Sequence, residues 1–469
     1  MQNDEILRDL HVTDLTVSGD GVARAGGRVV FIEGALPGAV VHARVTGTRK
    51  GTARAVLHET VAPSPHAVSP WCPHCDECGA CLWQHFSLSG ARDWKTRHVR
   101  ETLARIGNVK DISVTPTLAS PLEKGFRNKM SFAFGGEEEL LLGLRRRGGK
   151  GVVEVTRCGL QGEPTMRLLG RARTLAREAG LAAWRERRER KGGSGGYLRF
   201  LVVRVPEYRP DGAARVVVEC ITGPDHDAAP RTAECGATNR EAVRFLGREL
   251  VREFGLSGFV HSERASREDV AQGERTVWST GQSHIVERFG AIEVMAPHGA
   301  FLQTNTGAAS LLYEQAAIEA QLNGAQCVWD LYSGVGAIAL YMAGRVREVH
   351  GFEKDPRSVE AAKNNSKTLG FDHCFFHQGT VTAERLAALP EPDVILVDPP
   401  RAGIEPHIVD TLDATYAKRI IYISCDIATQ ARDIKMFSDA WKPVKSIPVD
   451  MFPYTPHVEN IVVLNRITE

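Results

Sequence analysis

The amino-acid sequence predicts an α/β protein whose C-terminal part forms a doubly wound, mostly parallel sheet. Two patterns indicate this fold: short, almost wholly apolar runs recur from residue 296 onward, and amphipathic helical stretches separate them. Apolar strands of this kind are typical of parallel sheets, because helices cover both faces. A Gly-rich turn after the first run is a third indication, and it predicts a ligand at the carboxyl edge of the sheet.

The composition bounds the class of protein. At 469 residues the chain is too long for a single hydrophobic core. No apolar run reaches the roughly 18 residues that span a bilayer, and the N-terminus lacks the regions of a signal peptide. We therefore expect a cytoplasmic protein without a membrane segment. The net charge of +1 gives no sign of a nucleic-acid partner.

Three domains are predicted along the chain. Residues 1–61 contain short β-prone runs between turn signals, which is typical of a small β-barrel. The stretch "APSPHAVSP" (62–70) reads as a linker, because its prolines obstruct regular structure. Residues 62–295 mix strand and helix patterns and predict an α+β region. Residues 296–469 carry the regular α/β pattern.

The C-terminal domain contains recognisable strand candidates. They are "CVWDLY" (327–332), "EVHGFE" (348–353), "DVILVD" (393–398) and "RIIYIS" (419–424). A final strand is expected to start at Glu459. Ligands bind outside the carboxyl ends of such strands, so the residues that follow each run are candidates for the site.

The turn "DLYSGVGAIAL" (330–340) follows the first strand. Gly334 and Gly336 permit a tight turn and a close backbone approach to a ligand. Asp330 would repel a pyrophosphate but suits a cationic amine, which favours S-adenosylmethionine over a dinucleotide. Glu353, at the end of the second strand, can accept hydrogen bonds from ribose hydroxyls. The alternative is that Asp330 and Glu353 only cap helices.

The third strand ends in "DPPRAG" (398–403). Pro399 and Pro400 fix their own φ angles and restrict the residues before them, so Asp398 is held on a stiff loop. This arrangement suits a carboxylate that contacts a ligand. An ordinary rigid turn is the alternative.

Cys425 follows the fourth strand, where a helix capped by Asp426 is expected to begin. A thiol at a helix N-terminus has its thiolate favoured by the helix dipole, so this position suits a nucleophile. A buried thiol that only fills space is the alternative. Carbon 5 of uracil becomes reactive once a thiolate adds to carbon 6, and a base must then remove the proton from carbon 5. Glu459 and His457 are both candidates for that base.

Four motifs carry a resemblance to a known family. "DLYSGVG", "DPPRAG", "YISCD" and "FPYTPHVE" resemble, in this order, the RNA (uracil-5-)-methyltransferases. The resemblance implies a Rossmann-like class I methyltransferase domain, Cys425 as nucleophile and Glu459 as base. It also implies a set of residues around S-adenosylmethionine, namely Gln303, Tyr332, Glu353 and Asp398.

A cysteine cluster narrows the resemblance. In "CPHCDECGACLWQH" (72–85), Cys72, Cys78 and Cys81 have a C-x5-C-x2-C spacing. With Cys158 as a distant fourth ligand, the cluster resembles the [4Fe-4S] site of the RumA-type 23S ribosomal RNA methyltransferases. Transfer-RNA members lack this site, so the resemblance implies 23S rRNA as the partner. The alternative is structural zinc on the four cysteines of 72–81, which would include Cys75.

The N-terminal barrel resembles a TRAM domain, an RNA-binding module of OB-like fold. No membrane and no obligate protein partner are implied. Three other functions stay open from the sequence: methylation of transfer RNA, methylation of carbon 5 of cytosine, and RNA binding by a non-catalytic iron–sulfur protein.

Overall fold

The computed structural model describes residues 3–185, 196–207, 215–224 and 238–467. Within these ranges, no helix is both long enough and apolar enough to pass through a bilayer.

The N-terminal domain is a six-stranded sheet in the order β1-β5-β6-β4-β3-β2. Its strands are β1 (Ile6–His11), β2 (Asp14–Leu15), β3 (Gly21–Ala25), β4 (Arg28–Glu33), β5 (Val40–Arg49) and β6 (Thr52–Ala62). Alternating residues of these strands, among them Ala23, Val30 and Ile32, are fully buried on one face. The predicted β-barrel domain is confirmed.

The central region begins with helix α1 (Leu88–Arg105) and the short strand β7 (Ser113–Val114). A mixed sheet follows in the order β10-β9-β8-β11-β12-β13-β14. Its elements are β8 (Lys129–Gly135), β9 (Leu141–Arg145), β10 (Val152–Glu154), α2 (Glu163–Glu178), β11 (Leu198–Arg204), β12 (Val217–Thr222), α3 (Asn239–Phe254), β13 (Gly258–Glu263) and β14 (Arg275–Gly281). Helices α2 and α3 share a core with this sheet.

The C-terminal region contains the large sheet, in the order β19-β18-β17-β20-β21-β23-β22-β7. Its elements are β15 (His284–Phe289), β16 (Ile292–Pro297), α4 (Thr306–Ala320), β17 (Cys327–Leu331), α5 (Ala337–Ala343), β18 (Glu348–Glu353), α6 (Pro356–Leu369), β19 (Cys374–Gln378), α7 (Ala383–Ala387), β20 (Val394–Val397), α8 (Pro406–Ala414), β21 (Arg419–Ser424), α9 (Ile427–Ile434), β22 (Trp441–Val449) and β23 (Glu459–Arg466). Strands β17 to β21 are parallel, and β23 is antiparallel to both of its neighbours. The predicted doubly wound, mostly parallel sheet is confirmed.

Helix α1 and strand β7 lie before the central sheet in the chain but pack against the C-terminal one. Val99 and Leu103 of α1 share a core with Tyr422 of β21, and β7 pairs with β22 at the sheet edge. The hairpin β15–β16 likewise packs its apolar side against the large sheet's helices. The division at residues 62 and 296 stays a prediction, because a local pattern does not indicate which core an amphipathic element joins.

Candidate active site at the carboxyl edge of the C-terminal sheet

The ends of three neighbouring strands place the predicted site residues in a row. Strand β17 ends at Leu331, β18 at Glu353 and β20 at Val397, and parallel pairing holds these ends side by side. The next residues on β17 and β20 are Tyr332 and Asp398. The structure therefore brings together three of the four residues that the resemblance assigned to the methyl donor.

A small cavity lies against this row of strand ends. It is called the donor cavity here, because the resemblance assigns residues of this region to the methyl donor. Its walls consist of Phe301, Leu302, Gln303, Tyr313, Asp330, Tyr332, Ser333, Gly334, Val335, Ala337, Ile338 and Asp398. Gln303, the fourth assigned residue, thus reaches the same cavity from the segment before α4. Glu353 lies behind the wall: its carboxylate accepts hydrogen bonds from the backbone N–H groups of Gly334, at 3.1 Å, and Asp355, at 2.8 Å.

Asp330 is the most unusual group of the cavity. Its side chain is buried, and among the described residues neither of its carboxylate oxygens makes a hydrogen bond of normal geometry. Burial raises its pKa to about 8, and the negative charge of Asp398 acts in the same direction. The backbone N–H of Ala339, in the first turn of α5, opposes this shift, so Asp330 also lies against the start of that helix. A buried acid that faces a cavity fits a ligand that carries a positive charge.

The glycines of the turn have the conformations that the sequence predicted. Gly334 has a φ of 55° and Gly336 a φ of 81°. A Cβ on Gly334 would meet no atom within 4 Å, whereas one on Gly336 would approach the Phe376 ring to 2.8 Å. Gly334 therefore leaves open space beside the cavity, and Gly336 allows close packing of the turn on β19.

The segment that carries Gln303 is fixed by an amide network. Asn128 donates from its side chain to the backbone oxygen of Gln303 and to the hydroxyl of Thr306, both at 2.9 Å. Asn305 caps α4 by accepting from the N–H of Ala308 at 3.1 Å. These bonds tie the central sheet to the donor cavity and hold the Gln303 backbone in place.

Cys425 lies directly after β21, and Asp426 caps α9 by accepting from the N–H of Thr429 at 2.9 Å. The thiol is partly exposed. Burial and the neighbouring carboxylate of Glu459 raise its pKa, while Arg401 opposes this shift with its charge and a hydrogen bond to the sulfur. We expected a thiolate favoured by the helix dipole; in the ligand-free site, desolvation and the acidic neighbours outweigh that effect.

Glu459 starts β23 and is buried, with 5% of its surface exposed. Burial raises its pKa to about 8; the charge of Asp398 adds to this effect and Arg401 opposes it. The pKa of Asp398 is itself raised by burial to about 7. A carboxyl group whose pKa lies near neutrality is suited to accept and release a proton at the pH of a cell.

His457, the other candidate base, is exposed at the rim of the site. Desolvation of its ring, followed by the positive charges of Arg401 and Lys95, lowers its pKa. The ring packs edge-to-face on Phe452, with a centroid distance of 6.4 Å. Of the two candidates, Glu459 is the one whose charge acts on the Cys425 thiol.

The four cysteines assigned to the iron–sulfur site come together. The charges of Cys72 and Cys78 raise the pKa of Cys158, and the charges of Cys158 and Cys78 raise the pKa of Cys81. Among the cysteines, those that act on the pKa of Cys75 are Cys72 and Cys78. Cys158 is thus joined to a cluster that lies far from it in sequence.

Burial dominates the electrostatics of these thiols. It raises the pKa of Cys81 to about 12, and it also raises the pKa values of Cys78 and Cys158. Buried thiols this close together become thiolates only when a cation compensates their charge. The donor set therefore fits a metal centre.

Two charged groups near the catalytic edge were missed by the sequence analysis. Arg401 lies within the "DPPRAG" motif, and the motif gave no sign that its side chain meets the sulfur of Cys425. Lys95 of α1 forms a fully buried ion pair of 2.6 Å with Asp450, just before the segment that leads to Glu459. Only a strongly apolar helix face around Lys95 could have indicated its burial.

Comparison with known protein families gives a match near each end of the chain. Residues 385–467 match the family model described as tRNA (Uracil-5-)-methyltransferase. Residues 8–57 match the TRAM domain. The first match contains Cys425 and Glu459, and the second covers most of the N-terminal sheet.

Relatives match over nearly the whole length. An RNA methyltransferase of Nitratidesulfovibrio vulgaris is 43% identical over 98% of this chain and 96% of its own length. One from Gloeobacter violaceus is 31% identical over 97% of this chain and 95% of its own.

A solved structure has the same fold. The tRNA (uracil-54, C5)-methyltransferase of Pyrococcus abyssi, in complex with S-adenosyl-L-homocysteine, aligns with a TM-score of 0.73 at 24% identity. The alignment covers 98% of this chain and all of that one. The class I methyltransferase architecture is therefore confirmed. With the family match and the full-length relatives, it follows that this chain belongs to the RNA (uracil-5-)-methyltransferase family and carries a TRAM domain at its N-terminus.

Proposed function

We propose that this enzyme methylates carbon 5 of a uridine in 23S ribosomal RNA, with Cys425 as the nucleophile and Glu459 as the base. One observation carries the mechanism: the Cys425 thiol, the Glu459 carboxyl group and Arg401 interact at the strand edge beside the donor cavity. A nucleophile and a base that share one site are what addition and elimination on a pyrimidine ring need.

Gln303, Tyr332, Glu353 and Asp398 are the residues that would hold S-adenosylmethionine, from which this family takes its methyl group. When bound, S-adenosylmethionine supplies an electrophilic methyl group on a cationic sulfonium. The buried carboxylate of Asp330, which lines the cavity, and the open space over Gly334 support this assignment. The raised pKa values of Asp330 and Asp398 mean that both acids ionise more readily when a cationic ligand compensates their charge, so the cavity favours such a ligand.

The chain's own residues account for the chemistry on the uracil ring. The Cys425 sulfur forms a bond to carbon 6, and the electrons of the 5,6 double bond move toward the carbonyl oxygen on carbon 4. Arg401 donates a hydrogen bond to the sulfur and favours its thiolate form. After carbon 5 has received the methyl group, Glu459 removes its remaining proton, the double bond re-forms and the sulfur leaves.

This order of steps requires access to both faces of the ring. A uridine stacked in a duplex does not offer carbons 5 and 6 to a pocket, so the target must lie in a loop or be flipped out of the helix. We expect the substrate to be a single-stranded or distorted segment of RNA.

A covalent trap tests the mechanism. RNA that carries 5-fluorouridine at the target position should form a stable adduct with Cys425, because fluorine does not leave from carbon 5 as a proton does. The adduct should be seen by mass spectrometry of the digested protein and should be missing from the Cys425→Ser variant. If the enzyme methylates an RNA that carries uridine but forms no adduct with the same RNA carrying 5-fluorouridine, the thiolate mechanism is wrong.

For the cluster, we assign Cys72, Cys78, Cys81 and Cys158 as ligands of [4Fe-4S]. The position of Cys158 supports this assignment over zinc bound by the four cysteines of residues 72–81. Cys158 is far from that segment in sequence, yet the charges of Cys72 and Cys78 act on its thiol, as expected if it supplies the fourth ligand.

The cluster is also the reason for choosing 23S rRNA, since the resemblance associates it with the ribosomal subgroup. Transfer RNA is the second candidate, because the family model and the Pyrococcus abyssi enzyme are named for it. Mapping of modified nucleosides in a deletion strain would separate the two. Loss of one 5-methyluridine from 23S rRNA is expected; loss from transfer RNA, or loss of 5-methylcytidine, would overturn the assignment.

A further inference from the structure

A second cavity, larger than the donor cavity, opens between the cysteine cluster and helix α2. Its volume is about 770 Å³, within the range of about 300–1,000 Å³ that is typical of ligand sites. The cavity, here called the α2 groove, is lined by Trp71, Pro73, Lys124, Val155, Thr156, Arg157, Cys158, Gly159, Glu163, Met166, Arg167, Gly170 and Arg173. The catalytic mechanism uses none of its charged residues.

Positive charge dominates the α2 groove. Lys124, Arg157 and Arg167 are exposed, and in the part of the chain that the structure describes none of them forms an ion pair. Arg173 is different, because it is neutralised by Glu154 at 2.6 Å. Glu163 is the one acid of the lining. Three uncompensated cations around a concave surface favour a polyanion.

An indole forms one wall of the groove. The Trp71 ring packs so closely on Gly159 that a Cβ there would approach it to 2.6 Å. The ammonium of Lys124 lies 4.8 Å from its ring centroid. Aromatic faces combined with mobile cations are what proteins use to bind single-stranded nucleic acid, through base stacking and phosphate contacts.

The α2 groove is connected to the catalytic edge by one segment of chain. Trp71 packs edge-to-face on Tyr454, with ring centroids 5.6 Å apart. The backbone N–H of Trp83 donates a hydrogen bond to the backbone oxygen of Tyr454 at 2.9 Å. Tyr454 lies five positions before Glu459 (459 − 454 = 5). A strand of RNA that leaves the catalytic pocket over this segment reaches the indole and the cations beyond it.

We infer that the α2 groove binds a single-stranded stretch of the substrate RNA beside the target uridine. The inference rests on the proposed function, since it takes the substrate to be RNA. Trp71 would stack on a base, while Lys124, Arg157 and Arg167 would contact phosphates. The groove would add affinity without taking part in the chemistry.

Charge reversal tests the inference. The groove variants are Arg167→Glu and Lys124→Glu, because neither residue is adjacent in sequence to a cysteine ligand, as Arg157 is. The control is Arg244→Glu, which makes the same change of charge on the exposed face of α3. RNA affinity is measured by fluorescence anisotropy over a range of salt concentrations. Each groove variant should weaken binding about fivefold or more and reduce the salt slope by about 0.7 per lost phosphate contact.

A truncated RNA distinguishes binding in the α2 groove from binding in the catalytic pocket. With an oligonucleotide that contains only the target loop, the groove variants should bind like the wild type; with the longer RNA, their KM should rise more than kcat falls. The iron content and the urea concentration at the midpoint of unfolding, each compared with the wild type, show whether a variant is correctly folded. If affinity and salt slope on long RNA equal those of Arg244→Glu, the inference is wrong. If the wild type methylates no RNA, the proposed function fails instead.

Discussion

Cys425 and Glu459 lie opposite each other just beyond the last pair of the antiparallel β21–β23 ladder. That pair is Ser424 with Asn460, and one step further along both strands brings residue 425 opposite residue 459. Directly opposed residues of antiparallel strands project to the same face of a sheet. The thiol and the carboxyl group therefore meet because of strand register, and the acid raises the pKa of the thiol.

Replacing the nucleophile should abolish the reaction. We expect Cys425→Ser to reduce the methylation rate by about three orders of magnitude or more, since a serine hydroxyl stays protonated where the thiol ionises. Transfer of a radioactive methyl group to RNA measures this loss. Cys374→Ser is the matched control: Cys374 lies at the start of β19, and burial raises its pKa to about 12. Equal activity of both variants would exclude Cys425 as the nucleophile.

Replacing the base should stop the reaction later. In Glu459→Gln the sulfur can still add to carbon 6, but the proton of carbon 5 is no longer removed. Natural uridine RNA should therefore accumulate as a methylated covalent complex, which is visible as a shifted band on a denaturing gel. The double variant with Cys425→Ser should give no such band. A freely dissociating product from Glu459→Gln would assign the base to another group, with His457 the next candidate.

The buried acids predict how stability depends on pH. The pKa of Glu459 rises from 4.5 to about 8 on folding, so the native state holds this proton more tightly than the unfolded chain. Its contribution to stability is complete below pH 4.5 and is lost as the pH rises through about 8. Glu459→Gln should therefore raise the free energy of unfolding at pH 8 by about 2 kcal/mol or more, since one pKa unit corresponds to about 1.4 kcal/mol.

Urea denaturation of the ligand-free enzyme at pH 5 and pH 8 measures this effect. At pH 5 the variant and the wild type should differ by less than about 1 kcal/mol, because Glu459 is neutral in the native state and the pH lies only slightly above the pKa of 4.5 that it has in the unfolded chain. A stabilisation of the same size at both pH values would mean that the effect does not come from ionisation of Glu459.

The ion pair between Lys95 and Asp450 should be important for the fold. Both side chains are at most 1% exposed. Lys95→Met should cost about 3–5 kcal/mol, because it leaves a buried carboxylate without its partner. Lys95→Met combined with Asp450→Leu should recover much of this loss. Arg44→Met, which breaks a surface pair with Asp4, should change stability by less than about 1 kcal/mol.

The cysteine cluster offers a test by matched variants. Cys78 acts on the pKa values of both Cys81 and Cys158 and is itself affected by Cys72, whereas Cys75 acts on the pKa of neither Cys81 nor Cys158. We expect Cys78→Ser to lose iron and sulfide and Cys75→Ser to keep both, as measured on protein purified without oxygen. Loss of one zinc ion from Cys75→Ser would instead support the zinc alternative.

Local patterns were enough to predict much of the fold. The bounds of β18 and β21, the start of β23 and the cap at Asp426 all follow from residues within a few positions of one another. The glycine turn and the acids at the strand ends were also recognisable, because parallel strands must present their carboxyl ends at one edge. The sequence by itself therefore determined the kind of sheet and the edge at which the candidate site residues gather.

Only the tertiary structure decided which distant groups meet there. Arg401 reaches the Cys425 sulfur, Asp330 is buried against the donor cavity, and Cys158 joins the cysteine cluster. Helix α1 packs against β21, a strand that begins over three hundred residues later in the chain. Such contacts depend on strand register and shared cores. Both arise from packing between segments far apart in the chain, which no local pattern encodes.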